Sequence, residues 1–272
     1  MPSSIDIPSI LQGDWSEHEL LHVSWCTTGS LTFLPIHAAG IYGEEAFPGS
    51  KLLDFVVSSY TPTLSSLITA SHPTTLLNSQ VLAVALPVES RLAGTARELD
   101  CIVNRVGSSN VKKLLEEDAT IDNVIDGLEK SSFVHFACHG VQDANESALL
   151  LAKSSRLTLS HLNHLSLPHA QLAFLSACQT ATGDEMLVRE AVHLAAGMLS
   201  VGYRGVIATM WSIMDSDAPL VADEVYAQLF KYSEPDPTQA AHALHNAVKK
   251  LIKDSNGTKS FLEWVPFIHI GI

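Results

Sequence analysis

The chain has 272 residues, 46% apolar and 17% charged: enough apolar material for a large core, and too little charge for a disordered chain. A formal net charge of −13 argues against a basic face for nucleic acid and weakly favours basic partners. Four cysteines, at 26, 101, 138 and 178, show no C-x-x-C spacing, which gives no disulfide framework and fits a reducing, cytoplasmic compartment. The first eight residues show no signal-peptide pattern, and no apolar run reaches membrane-spanning length.

Residues 1–18 are polar and contain proline, a flexible lead-in to one domain over 19–272. Leu20–Cys26 and Leu31–Ile36 predict two strands around Thr27-Thr-Gly-Ser30, a hairpin-like signal. His37, beside Pro35, reads as structural rather than catalytic. Leu52–Ser59 predicts a strand, Leu64–Ala70 a short helix, and Val81–Leu86 an aliphatic strand stopped by Pro87. Thr95-Ala-Arg-Glu98 fits a capping box opening a helix to about Val106, with Cys101 packed inside it. Asn110–Leu115 predicts a strand and Ile121–Lys130 a helix.

Two apolar runs then end in reactive residues. Phe133-Val-His-Phe-Ala-Cys-His-Gly140 delivers His139 to a chain reversal, and Leu172-Ala-Phe-Leu-Ser-Ala-Cys178 delivers Cys178 to a turn. Such runs read as strands buried on both faces of a parallel sheet, where chemistry gathers outside the strand carboxyl ends. Between them, Ser147–Ala152 and Leu157–Leu159 predict short strands and Leu162–Leu165 a helical turn. After them come a helix over Glu185–Val201 with Gly202 as its C-cap, a strand over Val206–Trp211, helices over Pro219–Tyr232 and Pro237–Lys253, and a strand over Val265–Ile270. The alternation predicts an α/β fold, a mostly parallel central sheet flanked by helices on both faces.

If the two reactive strands are neighbours, a thiol and an imidazole meet at one sheet edge. His139 can then raise the thiolate fraction of Cys178 and later give a proton to the leaving amine. Gly140 has no Cβ, so its N–H can approach a developing oxyanion beside the N–H of Cys178. Strand alternation turns Cys138 to the opposite face, into the core with Val134 and Phe136, and leaves His135 as a packed histidine beneath His139. The same alternation weakens a zinc site built from His135, Cys138, His139 and Cys178. Asp143, Glu146 and Asp184 are near enough in sequence to orient the imidazole, but each reads first as a solvated loop charge. The expected site holds no metal and no organic cofactor.

The motifs His-Phe-x-Cys-His-Gly and Leu-Ser-Ala-Cys-Gln-Thr-x-x-Gly-Asp resemble the signature of CHAT domains, caspase-like cysteine peptidases related to separase. The resemblance continues through Gly205-Val-Ile-Ala-Thr-Met-Trp211 with Asp215, and through Trp264-Val-Pro-Phe-Ile-His-Ile-Gly271. It implies a caspase-like sandwich and a Cys178–His139 dyad that cleaves a protein substrate through a thioester, with Gly140 and Cys178 forming the oxyanion hole. It also implies a link to programmed cell death, with a gasdermin-like or other cell-death effector as substrate. A helical-repeat regulatory region or an activating partner would control it.

Two further readings stand beside this one: an inactive or partner-regulated CHAT signalling domain, and a Cys-dependent hydrolase or acyltransferase on small molecules. For the peptidase, the P1 pocket is expected in Trp211-Ser-Ile-Met-Asp215-Ser-Asp217, an apolar wall with a negative floor that suits Arg or Lys. Asp215 matches the Trp-x-x-x-Asp stretch of separases, which cleave after arginine. Asp217, two residues before Pro219, is also placed to cap the next helix.

Overall fold

The structure is a computed structural model that describes residues 20–70, 78–86, 93–142, 147–176, 186–254 and 260–272. The aliphatic runs form strands β1 (Leu21–Trp25), β2 (Val56–Tyr60), β3 (Val81–Ala85), β4 (Val111–Leu115) and β5 (Phe133–Ala137). Next, β6 (Gly140–Gln142), β7 (Ser147–Leu150) and β8 (Arg156–Thr158) form a small antiparallel sheet of their own. β9 (Leu172–Leu175), β10 (Gly205–Thr209) and β11 (Phe267–Gly271) return to the main sheet, whose order is β1-β2-β11-β10-β9-β5-β3-β4. β10, β9, β5, β3 and β4 run parallel to one another, and β11 runs antiparallel to β10 and parallel to β2.

The helices are α1 (Leu64–Ala70), α2 (Ala93–Val106), α3 (Ile121–Lys130), α4 (Leu159–Leu162), α5 (Met186–Val201), α6 (Ala218–Leu229), α7 (Ala240–Asp254) and α8 (Phe261–Trp264). Alternating strand side chains feed two cores. Leu82, Val84, Val134, Phe136, Ala173 and Val206 pack with Val124 and Leu128 of α3 and Met198 of α5. On the other face Val81, Ala83, Phe133, Phe174 and Ile207 pack with Ile102 of α2, Val225 of α6 and Leu244 of α7. Covered on both faces, β3, β5, β9 and β10 are buried throughout, and their continuous apolar character follows from that. This is the expected α/β fold with a mostly parallel sheet between helical layers.

Local chemistry explains several element ends. Thr120 caps α3 by accepting the Asn123 N–H, α6 starts with Pro219 in its first turn, and Gly202 ends α5 at φ +128°, a conformation open to glycine.

Three expectations need correcting. The segment after β1 is not a strand: Gly29, at φ +61°, opens a 3-10 helix over Gly29–Phe33, and Pro35 has no N–H for a ladder. β1 instead pairs in parallel with β2. α2 is already helical at Ala93, so Thr95 and Glu98 lie inside it, both buried, and are not its N-terminal box.

Candidate active site

Because β3, β5, β9 and β10 are parallel, their carboxyl ends open on one edge: His139 and Gly140 follow the end of β5, and Trp211, Asp215 and Asp217 follow the end of β10. β5 and β9 are hydrogen-bonded neighbours with Phe136 opposite Leu175, and the Ser176 N–H donates to the Phe136 carbonyl at 2.9 Å. His139 is half-buried two residues past the end of β5. Cys178 lies outside the described residues, two positions past Ser176, as do Asp143, Glu146 and Asp184.

The chain reversal after His139 is set by the small sheet. The Leu150 N–H donates to the His139 carbonyl at 2.8 Å, and Gly140 faces Leu149 across β6 and β7. That bond makes Gly140 and Leu149 a non-hydrogen-bonded pair, so the Gly140 N–H points away from β7. Cys138 is fully buried in the core with Val134 and Phe136, as alternation predicts.

On the opposite face His135 is 1% exposed. Its Nε2 lies 3.4 Å from Glu98 Oε1, its Nδ1 lies 3.4 Å from the Tyr226 hydroxyl, and its ring packs 4.7 Å from that of Phe174. Sequence reasoning saw His135 as packed and missed both partners. Only the approach of α2 and α6 to β5 creates this cluster, and no local signal announces it.

Trp211 lies two residues beyond β10, partly buried, and its indole N–H donates to the Leu262 carbonyl at 3.3 Å. Asp215 is half-buried where α2 begins: its Oδ2 accepts the Gly94 N–H at 2.7 Å. A side chain at Gly94 would meet Asp215 head on, since a Cβ there would stand 2.1 Å from the Asp215 carbonyl oxygen. Asp217 is 1% exposed, at the N-cap of α6; it makes no side-chain cap bond and accepts the Ser216 hydroxyl at 3.2 Å. The half-buried Asp215 is therefore open to a ligand in a way that Asp217 is not.

His37 is fixed by the Tyr60 hydroxyl at 2.7 Å on Nδ1 and the Val265 carbonyl at 2.9 Å on Nε2. Burial lowers its pKa to about 4, so it stays neutral, the structural part the sequence predicts. Among the described residues no group of His, Cys, Asp and Glu is arranged to hold a metal ion, and no helix is long and apolar enough to cross a membrane.

The family profile of the CHAT domain matches residues 6–272. No curated protein matches the sequence. Among solved structures the chain is similar to the Arg-specific cysteine proteinase gingipain R, at 15% identity and a TM-score of 0.55, over 79% of this chain and 53% of that one. In a complex of the pro- and mature domains of a Porphyromonas gingivalis gingipain the identity is 15% and the TM-score 0.56, over 84% of this chain and 60% of that one. The Saccharomyces cerevisiae separase–securin complex matches at 12% identity and a TM-score of 0.57, over 83% of this chain and 14% of that one. The chain thus spans roughly half to 60% of the gingipain chains and a small part of the separase complex chain. At these identities the likeness is one of fold, and the fold is caspase-like.

Proposed function

The chain belongs to the CHAT domain family, and from that premise we propose that it is a cysteine endopeptidase that cuts a protein substrate after a basic residue. One observation carries the reading. Phe136 and Leu175 are partners across β5 and β9, and His139 and Cys178 each follow three positions later in sequence. A thiol and an imidazole equally offset from paired residues of adjacent parallel strands are the equipment of a thiolate nucleophile.

In this mechanism His139 accepts the Cys178 proton, and the thiolate sulfur attacks the scissile carbonyl carbon. The oxyanion is met by the N–H groups of Gly140 and Cys178. His139 then donates the proton to the departing amine, the C–N bond breaks, and a thioester remains. Water, deprotonated by His139, hydrolyses the thioester and frees the second product. Asp215, held by the Gly94 amide, receives the P1 guanidinium or ammonium, Trp211 contributes an apolar wall, and Asp217 supports the segment from beneath. No metal or organic cofactor enters these steps.

A digest of a peptide library by the full chain tests the proposal. The expected result is cleavage after Arg or Lys that disappears in Cys178→Ala; cleavage surviving that change, or a preference for Asp or bulky apolar P1 residues, refutes it.

A second reading is favoured by the match to a separase bound to securin: a protein partner holds the domain inactive until it is released. A stable complex in pull-downs from which activity emerges on partner removal would establish it. The family resemblance extends the proposal to a cytoplasmic role in programmed cell death, with a gasdermin-like or other effector as substrate and a helical-repeat region as regulator.

A further inference from the structure

Beneath the proposed site lies a polar tie between three elements. Glu98 from α2, His135 from β5 and Tyr226 from α6 are each 1% exposed, in a layer built mostly of Val, Ala, Leu, Ile and Phe side chains. His135 stands between the Glu98 carboxyl and the Tyr226 hydroxyl, 3.4 Å from each. The His135 Nε2–Glu98 Oε1 approach is an ion-pair distance without hydrogen-bond geometry, and apolar side chains of the same volume would often hold such a layer together as well or better; what the buried polar set contributes is register, because only this arrangement of the elements brings the three groups together.

That arrangement leads to the site. One turn up α2 from Glu98 is Gly94, whose N–H holds Asp215. Helix α6, which carries Tyr226, begins three residues after Asp215. The two helices that position Asp215 are therefore the two that grip His135, and His135 is on the strand that delivers His139. Between the same two helices, Arg105 and Asp223 form a two-pronged ion pair with both nitrogen–oxygen distances 2.7 Å, but it is partly exposed and correspondingly weak.

We infer that Glu98, His135 and Tyr226 are positioning residues that set Asp215 relative to His139, and so determine how strongly the site selects a basic P1 residue. The functional half of this inference rests on the proposed peptidase reading; the structural half does not.

Three variants of the full chain test it. Glu98→Ala alone would strand His135 and risk unfolding, so the first variant is Glu98→Met/His135→Phe, which removes both polar partners together. The second is Tyr226→Phe, which keeps the ring and removes only its hydroxyl. Four quantities are read: the thermal midpoint, hydrogen exchange at the Gly94 amide, kcat and KM for matched Arg-P1 and Ala-P1 peptides, and the rate of Cys178 alkylation by iodoacetamide.

In the double variant the Gly94 amide is expected to exchange about tenfold faster, and KM for the Arg-P1 peptide to rise about tenfold. Alkylation of Cys178 and turnover of the Ala-P1 peptide should hold. The third, Glu98→Gln, which keeps a polar partner, should recover most of the Arg selectivity; a purely structural role would lower the thermal midpoint without moving that ratio. A folded variant with unchanged Gly94 exchange and unchanged Arg-to-Ala selectivity overturns the inference. If the double variant does not fold, Tyr226→Phe decides by the same two readouts, with smaller shifts in the same direction. If the unmodified chain cleaves no peptide at all, the peptidase reading fails, and exchange at Gly94 alone decides whether the tie holds Asp215.

Discussion

Two regions of the same sheet carry histidines in different surroundings. In the first, His135 has the Glu98 carboxyl and the Tyr226 hydroxyl around it and lies one layer below His139. In the second, under β1, β2 and β11, His22 Nε2 is 2.6 Å from Ser59 Oγ, which is 2.7 Å from His269 Nδ1. His242 packs its ring edge-on to His22 at 5.7 Å. The second region has more histidines: burial lowers the pKa of His269 to about 3 and that of His245 to about 4, and the pKa values of the half-buried His242 and the more exposed His22 also fall. Histidine number is thus not what the proposed site rests on. His139 is half-buried at a strand's carboxyl end, where the proposed mechanism needs an imidazole, whereas His245 and His269 are deeply buried.

The most severe test of this contrast exchanges the roles. His139→Ala and Cys178→Ala should each lower peptide turnover by three or more orders of magnitude, on the order of what losing a nucleophile or base costs, with the thermal midpoint little changed. His269→Gln should leave turnover at pH 7.5 within about threefold, and Cys138→Ala should retain most of it. Loss of turnover in His269→Gln with the fold intact would erase the distinction.

Next in size is the specificity acid. Asp215→Ala should depress cleavage after Arg or Lys about 30-fold or more, equivalent to about 2 kcal/mol or more for a lost charged hydrogen bond, while iodoacetamide still reaches Cys178. Equal kcat/KM for Arg-P1 substrates in both proteins would remove Asp215 from the pocket.

Acid should separate the clusters as well. A histidine whose folded pKa lies below its unfolded value near 6.5 gives stability that is complete above about pH 6.5 and is lost as pH falls towards the folded value. For His269 and His245 the loss runs from about pH 6.5 down to about pH 4 and below, and amounts to about 2 kcal/mol per imidazole at pH 5. Urea titrations at pH 7.5 and pH 5 measure it, and His269→Gln should flatten the slope. An unchanged slope would mean that the cluster is open to water.

The smallest effect belongs to the exposed tie. Arg105→Ala should cost no more than about 1 kcal/mol by urea titration and leave P1 selectivity alone. A change in selectivity there would extend the positioning role down the whole seam between α2 and α6.

Much of this was readable before any coordinates. The aliphatic runs around Val134 and Phe174 are long, pure and bounded by turns, so their strands and the burial of Cys138 follow from periodicity, whereas their pairing as neighbours, left as a condition by the sequence, is supplied by the fold. Other features depend on partners far along the chain. Glu98 looks like a helix-capping partner of Thr95 locally, and only its meeting with His135, 37 positions away, gives it a different part. The strand expected over Leu31–Ile36 had the right apolar content; Gly29 and Pro35 decided against it. Nor does an apolar strand declare its direction, and the reversal of β11 against β10 has no signature in Phe267–Gly271.

That reversed strand bears on the order of assembly. Among the described residues β11 comes after the other strands in sequence but is third in the sheet, and β1 and β2 reach the rest of the sheet through it, by a registered pair between Tyr60 and Ile270. While the chain is being synthesised, every earlier strand can exist without that bridge, and the first two have no sheet to join. The contact that closes the sheet spans 210 residues, the kind of pairing that forms late because its loop closure comes before any reward. Until β11 is available, β2 therefore offers an open edge on the side away from β1.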